Sequence, residues 1–148
     1  MKLFVINGPN LNFLGIREPG HYGTTTYADL CTMIEDHCKG KGIEITCLQS
    51  NHEGDLVDYI QRAYYEGVEG IVINPGAYTH TSIAILDALK SVAIPAVEVH
   101  ISDVDARESF RQISYAGQAC CKTIKGHGLA GYREAILYLD QLLNHNIS

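Results

Sequence analysis

The 148-residue sequence has no apolar run long enough to span a bilayer, and no disordered tail or low-complexity block. It reads as one globular domain, 1–148, with room for a proper core. Its opening, Met1-Lys2-Leu3-Phe4-Val5-Ile6-Asn7, is broken too soon by Gly8-Pro9 to be a secretory signal, so a cytoplasmic location is expected. Cys-x-x-Cys pairs are missing, and the five cysteines, Cys31, Cys38, Cys47, Cys120 and Cys121, are an odd number. That argues against a disulfide framework and favours buried thiols acting as small hydrophobes. Basic residues are scarce, 11 against 17 acidic ones, for a net charge of −6. Nucleic acid is disfavoured as a partner, because binding it needs a concentrated basic surface. An anionic small substrate is still admissible, since a few arginines can set the field inside a cleft.

Common catalytic signatures are missing as well. His52-Glu53 fails as a zinc-protease helix because Leu56 stands where the second His belongs, and the other histidines lack metal-ligand spacing. There is no G-x-S-x-G elbow and no Walker-type phosphate loop. Gly126-His127-Gly128-Leu129-Ala130-Gly131 matches the dinucleotide fingerprint, but it opens the last βα unit and leaves no chain for the acidic partner in a following strand. These glycines read instead as a tight turn with close helix–strand packing. Asn7-Gly8-Pro9-Asn10 is not a flavin phosphate loop, and Asn7 and Asn74 occupy the places where a phospho-receiver needs acids.

What is there is alternation. Apolar runs at Leu3–Ile6, Ile43–Leu48, Ile71–Ile73, Ala96–Val99 and Ala119–Ile124 read as strands. Between them lie helical stripes: Leu30, Met33, Ile34 and Cys38 after a capping-box-like Thr26-Tyr27-Ala28-Asp29; Leu56, Val57, Ile60, Ala63 and Tyr64; and Ile85, Leu86 and Leu89 after a cap at Thr81 or Ser82. A final helix carries Tyr132, Ile136, Leu139 and Leu143, and residues 102–118 are irregular with a short helix near Ala106–Phe110. Five βα-like units predict an α/β, three-layer, flavodoxin-like fold: a parallel sheet in the order 2-1-3-4-5, with helices on both faces. Ligands of such sheets bind beyond the carboxyl ends of the strands, near the switch point.

The polar residues concentrate in the loops at that end. The first, Asn7 to Gly23, is long enough to be functional or lid-like. Tyr22 is a candidate base if a cation stabilises its phenolate, and Arg17 could supply the charge. Equally, Arg17 could pair with Glu18 at the surface and Tyr22 could be a packing aromatic. His100 ends the fourth strand, and Glu98, two residues back on the same face, could orient or charge it for general-acid work. Asn10, Asn74 and His80 can hydrogen-bond hydroxyls or brace loops. Arg111 could hold a carboxylate together with backbone amides at Ile101-Ser102, or be a solvated charge.

The wording and order of these segments resemble the type II 3-dehydroquinate dehydratases, from about Lys2 to Tyr132. The resemblance rests on Asn7-Gly-Pro-Asn-Leu-Asn12, Arg17-Glu-Pro with Tyr22-Gly23, Gln49-Ser-Asn-His-Glu-Gly54, Asn74-Pro-Gly-Ala-Tyr-Thr-His-Thr-Ser82, Glu98-Val-His-Ile-Ser102 and Arg107-Glu-x-Phe-Arg111. It implies a hydro-lyase of the shikimate or quinate pathways that needs no cofactor or metal and converts 3-dehydroquinate to 3-dehydroshikimate through an enolate. By the same resemblance Tyr22 is the base and Arg17 keeps it anionic. Asn10 holds the water that stabilises the enolate, and His100, supported by Glu98, protonates the departing hydroxyl. Asn74, His80, Arg111 and the Ile101-Ser102 amides hold the substrate. Asp87 reaches a neighbouring subunit's site, which implies trimers commonly assembled into dodecamers. Two positions depart from the family pattern: Leu86 replaces a basic residue, and Asp103 replaces a frequent Asn.

Overall fold

The structure is a computed structural model that describes residues 1–16 and 24–145. Five strands, β1 (Lys2–Asn7), β2 (Glu44–Gln49), β3 (Gly70–Asn74), β4 (Ala96–His100) and β5 (Lys122–Lys125), pair in parallel in the order β2-β1-β3-β4-β5. This is the sheet expected from the alternation. Strands β1, β3 and β4 are buried on both faces, as strands covered on two sides must be.

Side chains of alternate parity feed two separate cores. Leu3, Val5, Val72, Val97 and Val99 pack with Leu30, Ile34 and Cys38 of α1 (Tyr27–Cys38) and with Tyr132, Ile136 and Leu139 of α4 (Ala130–His145). Phe4, Ile6, Ile71 and Ile73 pack with Leu56, Ile60 and Ala63 of α2 (Glu53–Tyr65) and with Ile85 and Leu89 of α3 (Ile83–Val92). Each fully buried Leu or Ile stabilises the fold by about 1.5–3 kcal/mol, so the two layers together account for the three-layer sandwich. Gly70 lets α4 approach: a Cβ there would lie 2.8 Å from Leu3 and 3.3 Å from Leu139.

Helix starts follow the sequence. Thr26 and Asp29 form the expected capping box, each side chain accepting the other's backbone N–H, at 3.1 and 3.2 Å. Of the two candidate caps for α3, Ser82 serves, accepting from the Ile85 amide at 3.0 Å.

Several expectations need correction. β5 begins at Lys122, not Ala119: Ala116–Ala119 closes a 3-10 turn, held by the Gly117 amide donating to Ser114 Oγ at 2.9 Å. Cys120 and Cys121 therefore precede the strand, and of the five cysteines expected to be buried only Cys38 is, with Cys31, Cys47 and Cys120 half-buried and Cys121 exposed. No helix spans 106–110; the β4–β5 connection uses 3-10 turns at Val104–Ala106, Ser109–Arg111 and Ala116–Ala119. Tyr64 is exposed, outside the buried stripe of α2. No helix of the described residues is long and apolar enough to cross a membrane.

Candidate active site

Asn7 and Asn74 stand side by side where β1 and β3 end, at the point where the strand order reverses. The loops beyond them clasp. The Gly8 amide donates to Asn74 O at 2.7 Å, and a Cβ on Gly8 would collide with the Pro75 carbonyl. Gly76 adopts φ +60° against Pro9 O, a conformation that favours glycine. The two Gly/Pro pairs thus set the backbone of one wall. The Asn74 carboxamide is fixed at both ends: Nδ2 donates to the Tyr132 hydroxyl at 2.9 Å, and Oδ1 accepts from the Gly76 amide at 3.1 Å. Tyr132, fully buried on α4, donates in turn to Asn7 Oδ1 at 2.7 Å, and burial raises its pKa. Asn10, in the left-handed region at φ +70°, has its backbone N–H on Asn51 Oδ1 at 3.0 Å, so the loop after β2 braces the loop after β1.

A cleft of about 140 Å³ opens above these strand ends. Its lining includes Asn10, Asn74, His80, His100, Ile101, Ser102, Arg107 and Arg111, so most of the residues singled out from sequence converge on one space. His100 Nε2 donates to Glu98 Oε2 at 2.7 Å, both side chains being buried. Nδ1 is then the ring nitrogen left for a ligand. Burial alone would raise the Glu98 pKa, yet hydrogen bonds from His100, Thr79 and Ser114, with the charge of His100, bring it down to about 2. The result is a buried anion beside an imidazole, an arrangement suited to delivering a proton. His80 lies 6.4 Å from His100, ring to ring and nearly parallel, and its Nδ1 donates to Ile113 O at 2.7 Å, which leaves Nε2 for a ligand.

The decoy glycines have a structural task here. Gly126 and Gly128, at φ +81° and +60°, donate their amides to His100 O, Ser102 O and Ile101 O at 3.1–3.3 Å. In a trans peptide the C=O and N–H point opposite ways. Holding the carbonyls of His100 and Ile101 toward this turn therefore aims the Ile101 and Ser102 amides away from it. Gly131 packs as expected, its Cα within reach of Val99 and Ile124, where a Cβ would sit at 3.3 and 3.4 Å. Arg111 lines the cleft and is steadied by Glu108 Oε2 at 2.7 Å.

Arg17 and Tyr22 lie outside the described residues. Asp87 is exposed on α3 and is not among the residues lining the cleft. Of the two unusual positions, Leu86 is buried in the α3 layer, while Asp103 caps the turn Val104–Ala106 by accepting from the Asp105 amide at 3.1 Å. Sequence reasoning named Arg107 in a motif but gave it no role in the cleft it lines, and it overlooked the hydroxyls of Thr79, Ser114 and Thr123, which hold Glu98. A usable signal existed: a Glu inside the apolar strand Ala96-Val97-Glu98-Val99 must find partners when buried.

The family model for class II dehydroquinase matches residues 1–140. The chain belongs to the class II dehydroquinase family. Within that family it is 53% identical to the 3-dehydroquinate dehydratase of Fusobacterium nucleatum over 146 residues, covering 97% of this chain and 99% of that one. It is 55% identical to the 3-dehydroquinate dehydratase of Rhodopseudomonas palustris over 134 residues, covering 90% and 89%. Among solved structures, the type II dehydroquinase of Butyrivibrio crossotus superposes with a TM-score of 0.93 at 58% identity, covering 95% of this chain and 97% of that one. The fold is thereby that of its class II dehydroquinase relatives, a family of hydro-lyases.

Proposed function

We propose that this chain dehydrates 3-dehydroquinate to 3-dehydroshikimate, a step of aromatic biosynthesis or quinate catabolism. The observation that carries the proposal is the buried Glu98–His100 pair at the floor of a cleft that also gathers Asn10, Asn74, His80, Ile101, Ser102 and Arg111. A polyhydroxylated acid needs such a set: amides and Arg111 for its carboxylate, Asn74 and His80 Nε2 for its hydroxyls, and a proton donor at the leaving oxygen.

In this reading Tyr22, as a phenolate stabilised by Arg17, takes a proton from the carbon beside the ketone. Electrons move onto the carbonyl oxygen, and the enolate is stabilised through a water held by Asn10. The enolate then collapses, the neighbouring C–O bond breaks, and the His100 proton leaves with the hydroxyl as water. Glu98 stabilises the imidazolium before transfer and fixes its ring plane. The family likeness supports these roles for Arg17 and Tyr22. It also supports a cytoplasmic enzyme built of trimers, assembled into dodecamers, with Asp87 reaching a neighbouring subunit's site.

The test is the appearance of the conjugated enone from 3-dehydroquinate, measured with and without a chelator. The expected result is turnover that the chelator leaves unchanged, abolished by Tyr22→Phe in a protein that still folds. A fully active Tyr22→Phe variant would refute the assignment of the base. Saturable binding without dehydration would mark a binding protein on the same fold.

A further inference from the structure

Glu98 is held by three hydroxyl groups besides His100. Oε2 accepts from His100 Nε2 at 2.7 Å, from Ser114 Oγ at 2.7 Å and from the Thr79 hydroxyl, while Oε1 accepts from Thr123 Oγ1 at 3.0 Å. These donors come from β4, the β4–β5 connection, the turn after β3 and β5. A carboxylate so engaged on both oxygens cannot rotate without giving up a charge-assisted hydrogen bond.

Ser114 differs from the two threonines in what else surrounds it. Its oxygen accepts from the Gly117 amide at 2.9 Å, which fixes the hydroxyl's origin. Its neighbours bind the turn that carries His80: Ile113 O accepts from His80 Nδ1 at 2.7 Å, and the Tyr115 amide donates to Thr79 O at 2.7 Å. Gly117 leaves no room for slack, since a Cβ there would meet Glu98 Oε1 at 2.6 Å and Ser114 Oγ at 2.9 Å. Residues 113–117 thus join the two histidines of the cleft, one through a backbone carbonyl and the other through Ser114 and Glu98.

We infer that Ser114 is a positioning residue for the dehydration, holding the Glu98 carboxylate so that His100 is aimed at the leaving hydroxyl. The inference rests on the dehydratase reading for its kinetic consequence but not for its geometry. Ser114→Ala is expected to lower kcat about tenfold, the kinetic equivalent of one weakened charge-assisted hydrogen bond. KM is expected to stay within about twofold, because no substrate contact is removed. Thr123→Val, nearly the same size, is the second variant and carries the test if Ser114→Ala does not fold; it frees the other carboxylate oxygen and lowers kcat in the same sense.

A substrate-free measurement accompanies the kinetics. The His100 Nε2 proton, shared with a buried carboxylate, should give a downfield, slowly exchanging NMR signal in the native protein, and this signal should broaden or vanish in both variants. Wild-type kcat in the folded variants overturns the inference, as does an undisturbed His100 proton signal. If the native protein leaves 3-dehydroquinate unchanged, the dehydratase reading falls. In that event loss of the His100 signal in Ser114→Ala still supports the clamp, and its persistence overturns it.

Discussion

Replacing Glu98 by glutamine keeps the shape of the buried side chain and removes its charge. The carboxyl stands at about 2 in the fold against an ordinary value of 4.5. At about 1.4 kcal/mol per pH unit, that gap is worth about 3 kcal/mol. The sign follows from which state holds the proton more weakly. The folded carboxyl does, so its contribution is complete above about pH 4.5 and is lost as the pH falls toward 2. In Glu98→Gln the new carboxamide could still turn its carbonyl toward His100, Thr79 and Ser114 and its NH2 group toward Thr123, which would then accept. The variant should therefore fold, with kcat lowered about ten- to hundredfold through loss of a charge-assisted bond to His100, the proposed acid. Denaturant unfolding at fixed protein concentration, from pH 7 down to pH 3, checks the first claim. Other carboxylates contribute to both proteins equally, so the difference between the two curves reports Glu98 together with its partner His100. Parallel curves across this range would refute the depressed carboxyl, and an undiminished kcat would refute its partnership with His100.

Gly117→Ala drives a methyl group against Glu98 Oε1 and Ser114 Oγ; it should cost about 1–3 kcal/mol in unfolding experiments and lower kcat along with stability. Tyr132→Phe strips the partner from Asn74 Nδ2 and from Asn7 Oδ1; about 1–3 kcal/mol of stability should go for each buried group left unpaired, and KM for 3-dehydroquinate should rise as the Asn74 carboxamide loosens. Gly128→Val forces a branched side chain into φ +60°; the turn bracing Ile101 O should shift, and a rise in KM larger than the fall in kcat would show that it positions the amides proposed to bind substrate.

The sheet was legible because its central strands are buried on both faces and so stand out as apolar runs between turn residues. The same rule misplaced β5. Ala119-Cys120-Cys121 is as apolar as a strand, but the Ser114 hydroxyl and the backbone bond from Tyr115 to Thr79 hold the chain in a turn through Ala119, and the strand begins at Lys122. Local pattern carries no information about a constraint reaching 35 residues back to the loop after β3. The site divides in the same way. His100 and Glu98 are neighbours on one strand face, so a period of two finds them. Thr79, Ser114 and Thr123 are ordinary hydroxyl residues far apart in the chain, and only the packing of four elements makes them one clamp.

The glycines near the end of the chain show how a local motif takes its meaning from position. Between a strand and a helix, Gly126, Gly128 and Gly131 would cradle a pyrophosphate if they followed β1. They follow the edge strand β5 instead, and the segment beside them is the end of β4. The Gly126 and Gly128 amides are taken up by the His100, Ile101 and Ser102 carbonyls, which leaves the Ile101 and Ser102 amides pointing away from the turn. Arg107 and Arg111 both line the cleft beside Glu108, so a chain of net charge −6 still places two guanidinium groups at the site proposed for the substrate carboxylate. On the proposed reading an acidic protein can select an acidic substrate: the global charge acts through solvent and is screened within about 8–10 Å, whereas the amides and guanidinium groups would act at hydrogen-bond distance inside the cleft.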